Sequence, residues 1–186
     1  MSLFKTYGIV LKTTKVKEND FLLDVFCYDY GKLKLKTTKS KTIKTLDIGY
    51  ILNFEIDVQK QNKIHEIKNI KIKNEFDYLN KNYLIIIKYL ELLKIINDKC
   101  PLGMPIFEIF NILNEINLTK NITEEKIIFS QLKILNILGV LKQENNNEKI
   151  QKVLSFVNKE SIKNILKLKG LSEDEKKILE KIIKLS

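Results

Sequence analysis

Lys32, Lys34 and Lys36 alternate with Leu33 and Leu35, and the chain then runs on through Lys39, Lys41 and Lys44. No acidic residue lies between Gly31 and Leu46. In an extended strand that alternation sends three ammonium groups to one face and the leucines to the other. A row of this kind neutralises phosphates and releases their counterions, so the chemistry it offers is polyanion binding with a steep salt dependence. Lys12, Lys15 and Lys17 can widen the tract, although a solvated loop explains them equally well. Tyr28 and Tyr30 stand close to the tract near a turn, where Tyr28 in particular could stack a base. Phe26 fits ordinary packing better. The competing reading is a solvated strand face in a chain biased towards Lys, Ile and Asn by AT-rich codons. Every basic residue is a lysine. Lysine is a point charge without the planar fork that reads guanine, so such a tract holds phosphates and reads little sequence.

Other reactive residues form no catalytic set. Glu18-Asn19-Asp20 fits a capped turn better than a pair of catalytic carboxylates, because no phosphate-binding glycine motif accompanies it. His65 is the only histidine and has no cysteine or second histidine beside it. No nucleophile–base pair can be drawn, and no catalytic residue, cofactor or metal is expected. Cys27 and Cys100 fit no metal-ligand spacing and are too few for a disulfide framework. They read as two buried, reduced thiols of a cytoplasmic protein.

The elements that must position the tract come first in the chain. Tyr7, Ile9 and Leu11 alternate with Gly8, Val10 and Lys12; Phe21, Leu23, Val25 and Cys27 alternate with Leu22, Asp24, Phe26 and Tyr28. That period of two, rich in β-branched and aromatic residues, predicts strands. Asp29-Tyr30-Gly31 predicts a tight turn with Gly31 at positive φ. The lysine strand follows, then a run over 51–58, a polar hairpin tip over 59–63, and a last strand carrying Ile64, Ile67, Ile70 and Ile72. The phase of that strand shifts once, which predicts a bulge. Five short strands in about seventy-five residues suit a small closed, OB-like barrel.

From Phe76 the period changes. Leu79, Tyr83, Ile86, Ile87, Leu90, Leu93 and Ile96 recur at helical spacing. Pro101, Gly103 and Pro105 punctuate a loop, and Ile106 to Ile116 predicts a second helix with Phe107, Phe110 and Leu113 on one stripe. Thr123 reads as the N-cap of a third helix that ends at Leu138 and Gly139. The segment 143–148 reads as a loop, and a short helix is expected around 161–169, before Gly170. Ser172-Glu173-Asp174-Glu175 is a capping box for a last helix. The expected organisation is an α+β two-part chain: an OB-like barrel over 1–76 and an α-helical domain over 77–186. Met1 to Lys5 runs straight into a strand pattern, so no signal peptide is expected. The longest apolar run, Tyr83 to Ile96, is interrupted by Lys88, Glu91 and Lys94 and is too short to span a bilayer.

These residues, in this order, resemble the RecO family of recombination mediators. The correspondence runs through Gly8 to Leu11, Glu18 to Asp20, Phe21 to Phe26, Gly31-Lys32, and Lys34 to Lys44. It continues more weakly to Lys133-Ile134-Leu135-Asn136-Ile137-Leu138-Gly139, which is similar to the family's leucine-rich helix. The resemblance implies a non-enzymatic DNA repair protein, cytoplasmic and nucleoid-associated. It implies binding to single- and double-stranded DNA, annealing and, with RecR, loading of RecA onto DNA coated by the single-stranded-DNA-binding protein. It also implies that the helical domain holds that protein's acidic C-terminal tail. Here Lys133 and Lys142 are the residues placed to clamp its carboxylates. DNA contact falls to Lys12, Lys32, Lys34, Lys36, Lys39, Lys41, Lys44 and Tyr28. The chain departs from the family in having Thr38 and lysines where the basic loop usually carries glycine and arginines. It also has a shorter C-terminal region and lacks the four-cysteine zinc site of some members. The alternatives are an RNA- or ribosome-associated OB module, since a backbone-binding barrel does not announce its polymer, and a structural adaptor.

Overall fold

The computed structural model describes residues 3–18, 20–38, 46–57, 64–76, 81–142 and 147–186. The expected contacts at Lys39, Lys41 and Lys44, the hairpin tip over 59–63, Asn19 and most of the 143–148 loop lie outside them. The described chain is an α+β two-part molecule, a closed five-stranded barrel and then a helical region. It divides into two compact units: Met1–Leu79 with Ile96–Phe110, and Asn80–Ile95 with Asn111–Ser186.

The barrel strands are β1 (Leu3–Lys15), β2 (Asp20–Cys27), β3 (Gly31–Thr38), β4 (Ile51–Asp57) and β5 (Ile64–Asn74). They close in the order β1-β2-β3-β5-β4, antiparallel except for a short parallel pairing of β3 with β5. Alternation sets what faces inward: Val10, Leu23, Val25, Cys27, Leu35, Leu52, Phe54, Ile56 and Ile67 form the barrel core. The turn after β2 brings Gly31 to φ +67°, as its position predicts. The described strands depart from strict alternation at three places. The β1–β2 register shifts between Val10 and Lys12, which the period did not announce. Val10 and Leu11 are both buried, and Lys12 comes out opposite Asp24. Where one bulge was expected in β5, its register against β4 shifts twice: Leu52 and Ile51 are adjacent yet face Ile72 and Asn74, and Glu55 and Asn53 are two residues apart yet face Lys68 and Lys71, three apart. In the second shift Asn69 occupies the extra position with φ +50°, a conformation asparagine tolerates better than most residues.

The helices are α1 (Tyr83–Lys99), α2 (Phe107–Leu118), α3 (Glu124–Ile137), α4 (Glu148–Lys159), α5 (Ile162–Ile165) and α6 (Glu173–Leu185). Thr123 caps α3 by accepting the Lys126 N–H, and Gly139 takes φ +69° just past its end. Ser172 and Glu175 form the reciprocal capping box of α6. The expected short helix is a single turn, α5. Helix α4 is an addition to the expected elements. Its signal was present in Asn147, whose side chain accepts from Lys149 and Ile150, and in the spacing of Ile150, Leu154 and Val157. Ile128, Phe129 and Leu132 of α3 pack with those three residues, with Ile165, and with Leu179 and Ile182 of α6.

One charged side chain is built into this helical unit. The Lys88 ammonium lies 2.8 Å from Glu180 and 3.0 Å from Glu91, and its side chain is only 11% exposed. The Lys88 carbonyl accepts from Gln131. Burial alone would lower the lysine pKa, but the hydrogen bonds to Glu180 and Glu91 outweigh it and hold the pKa raised. Lys88→Met should cost about 1–2 kcal/mol, below the range for fully buried pairs because Glu91 is only half-buried. A raised lysine pKa means that this stabilisation is complete below about pH 10.5. It is lost as pH rises through the folded pKa. Thermal melts of both proteins should therefore converge in alkali; a gap that persisted there would count against the ion pairs.

Candidate nucleic-acid interface

Strand β3 does turn its lysines outward: Lys32 faces Phe26, Lys34 faces Asp24 and Lys36 faces Leu22 across the β2 ladder. Their surroundings differ. Lys34 and Lys36 are exposed, as is Lys12 on β1. Lys36 lies 3.4 Å from Asp20 and stands beside Glu66 of β5. Lys12 and Lys34 flank Asp24. Lys32 is half-buried, and its ammonium donates to the Asn97 carbonyl at 2.6 Å. The Lys32 carbonyl accepts the Gly103 N–H at 2.9 Å. The sequence grouped three equivalent lysines, but the folded chain uses the first to tie the last turn of α1 and the segment after it to the barrel wall.

Tyr28 is placed by the same arrangement. Its ring stacks on Tyr7 at 4.8 Å between centroids, and Phe107 and Phe110 close on it at 5.0 and 5.5 Å. Tyr28 is half-buried, as is Tyr30, which packs against the barrel core. Phe26 is fully buried although it faces away from that core. Burial, with the charges of Tyr28 and Asp29, raises the Tyr7 pKa. Cys27 and Cys100 are both buried; burial pushes Cys100 up to about 11, against the pull of the Lys32 ammonium. A thiol so placed is a poor nucleophile near neutrality.

A second outward face lies across β1, β4 and β5. In register across β1, β4 and β5 lie Lys5, Glu55 and Lys68, then Tyr7, Asn53 and Lys71. Lys73 reaches over the Tyr7 ring at 5.1 Å. Lys5, Tyr7, Asn53, Glu55 and Lys71 line a groove of about 720 Å³, and Lys68 and Lys73 lie beside it on β5. Strict alternation separates Lys68 from Lys71 and Lys73, so the available signal was the bulge itself, which brings all three to one side.

In the helical unit, the Lys133 ammonium donates to the Asn158 carbonyl at 3.0 Å. Lys142 is exposed, and its backbone N–H donates to the Ser186 hydroxyl. Among the described residues no cluster of three or more His, Cys, Asp or Glu could hold a metal ion. Nor is any helix long and apolar enough to cross a membrane.

A closed barrel of five short strands in this order, with a helical region after it, defines the N-terminal part as an OB-like barrel protein. Residues 1–76 match the family described as recombination protein O N terminal. That match supports the RecO resemblance for the barrel and, at that level, a RecO-like role in DNA recombination and repair. The match covers the barrel and not the helices of the 186-residue chain. No curated protein matches the chain.

Proposed function

We propose that this chain is a cytoplasmic, nucleoid-associated recombination mediator that acts by binding and not by catalysis. It binds single- and double-stranded DNA and lowers the repulsion between two backbones during annealing. With RecR, it helps RecA load onto DNA coated by the single-stranded-DNA-binding protein. The observation that carries this reading is the family match over the barrel. Exposed Lys12, Lys34 and Lys36 on that barrel's outer wall support it. Lysines on a rigid strand can hold phosphates without reading bases, which suits a protein that must act on any sequence. In the helical unit, exposed Lys142 is the better candidate for a partner's acidic tail, because the Lys133 ammonium already has an internal acceptor.

The test is fluorescence anisotropy with labelled single-stranded DNA across a salt titration, repeated with an acidic tail peptide. DNA binding should weaken steeply with salt. Lys34→Ala with Lys36→Ala should cut affinity about fivefold or more and flatten the log–log salt slope by about 1.4, two phosphate contacts on a single strand. The loss should be the same for unrelated sequences. Wild-type protein that binds neither DNA nor peptide would sink the mediator reading, and an unchanged double variant would remove β3 from the interface.

A further inference from the structure

We infer that the groove over β1, β4 and β5 holds the sugar–phosphate backbone of one DNA strand, at a site separate from the lysine tract of β3. The inference rests on the DNA-binding reading above and adds a second place for a strand. Charge is its first support. Lys5, Lys68, Lys71 and Lys73 edge or overhang this face, and Glu55 is the one carboxylate in the two registered rows. That carboxylate is already engaged: the Asn69 side-chain amide donates to it at 2.6 Å, and Lys5 stands 3.9 Å away. On the β3 side, by contrast, Lys12, Lys34 and Lys36 are interleaved with Asp20, Asp24 and Glu66.

Geometry is the second support. The β5 bulge aligns Lys68 with Lys71, and Lys73 follows two residues on, about 7 Å along a strand. The Lys73 ammonium lies over the ring of Tyr7, which lines the groove. A floor three strands wide is about 10 Å across, the width of one sugar–phosphate chain rather than of a duplex. Glu66, in register with Asp57 on one side and Lys36 on the other, puts an acidic seam between this groove and the β3 tract. Two separated tracts on one barrel could each hold a strand, which is what annealing requires.

The test uses the full chain and a labelled oligothymidylate in a salt-titrated anisotropy assay. Lys68→Ala with Lys71→Ala should lower affinity about fivefold to tenfold and flatten the salt slope by about 1.4. A charge-matched control on the helical unit, Lys163→Ala with Lys167→Ala at two exposed positions, should stay within twofold of wild type. A groove variant that binds like wild type overturns the inference, as does a control that loses as much. If wild type binds and only the β3 variant weakens, the groove assignment fails and the DNA-binding reading stands. If wild type does not bind, both fall.

Discussion

Gly31→Ala is expected to destabilise the barrel unit by about 2–5 kcal/mol, from two independent costs. Gly31 sits at φ +67°, where an L side chain costs about 1–2 kcal/mol. A Cβ there would also run into the backbone of Met104. The Met104 backbone cannot easily withdraw, because its neighbours are fastened to β3: Gly103 donates to the Lys32 carbonyl, and Leu102 bridges to Lys32. Overpacking against a fixed backbone adds about 1–3 kcal/mol. Gly31→Asn separates the costs, since asparagine tolerates the left-handed region but keeps the collision. Both variants should melt well below wild type in urea followed by circular dichroism, with Asn little better than Ala. Substantial recovery with Asn would mean that the turn, and not the Met104 contact, demands glycine.

Phe26→Ala should be comparably damaging, by about 3–5 kcal/mol, because a fully buried ring is deleted. Phe26 lies on the outer side of β2, between Ile9 on β1 and Lys32 on β3. An aromatic residue there, beside a lysine tract, is what a base-stacking platform would look like in the sequence. The structure leaves it no exposed surface. Phe26→Leu distinguishes the roles. As a near volume-conserving change it should cost less than about 1.5 kcal/mol. It should also leave DNA affinity unchanged, whereas loss of a stacking partner would weaken binding by about 1–3 kcal/mol. Weaker DNA binding by a folded Phe26→Leu protein would show that the ring is reached by the ligand.

Both predictions concern the same part of the barrel, where residues 97–104 are tied to the turn and to β3. This explains why the lysine tract was only partly legible. Alternation correctly put Lys32, Lys34 and Lys36 on one side, because side-chain direction in a strand is a property of the backbone. It could not show that Lys32 would find the Asn97 carbonyl, sixty-five residues away. The Lys133 ammonium, given to Asn158, is the helical counterpart.

What the sequence by itself determined is local. The period of two, the turn at Gly31, the caps at Thr123 and Ser172 and the break at Gly139 each depend on residues within a few positions of one another. The short-range sterics and hydrogen bonds that act there are encoded in residue type. Order along the chain also carried the RecO resemblance, since order is a sequence property. Tertiary structure alone decided which charges remain available. Bulges near Leu11 and at Asn69 moved Lys12 outward and gathered Lys68, Lys71 and Lys73 on one face. One inserted residue reverses the facing of all that follow it, and its place is set by how neighbouring strands must pair to close the barrel.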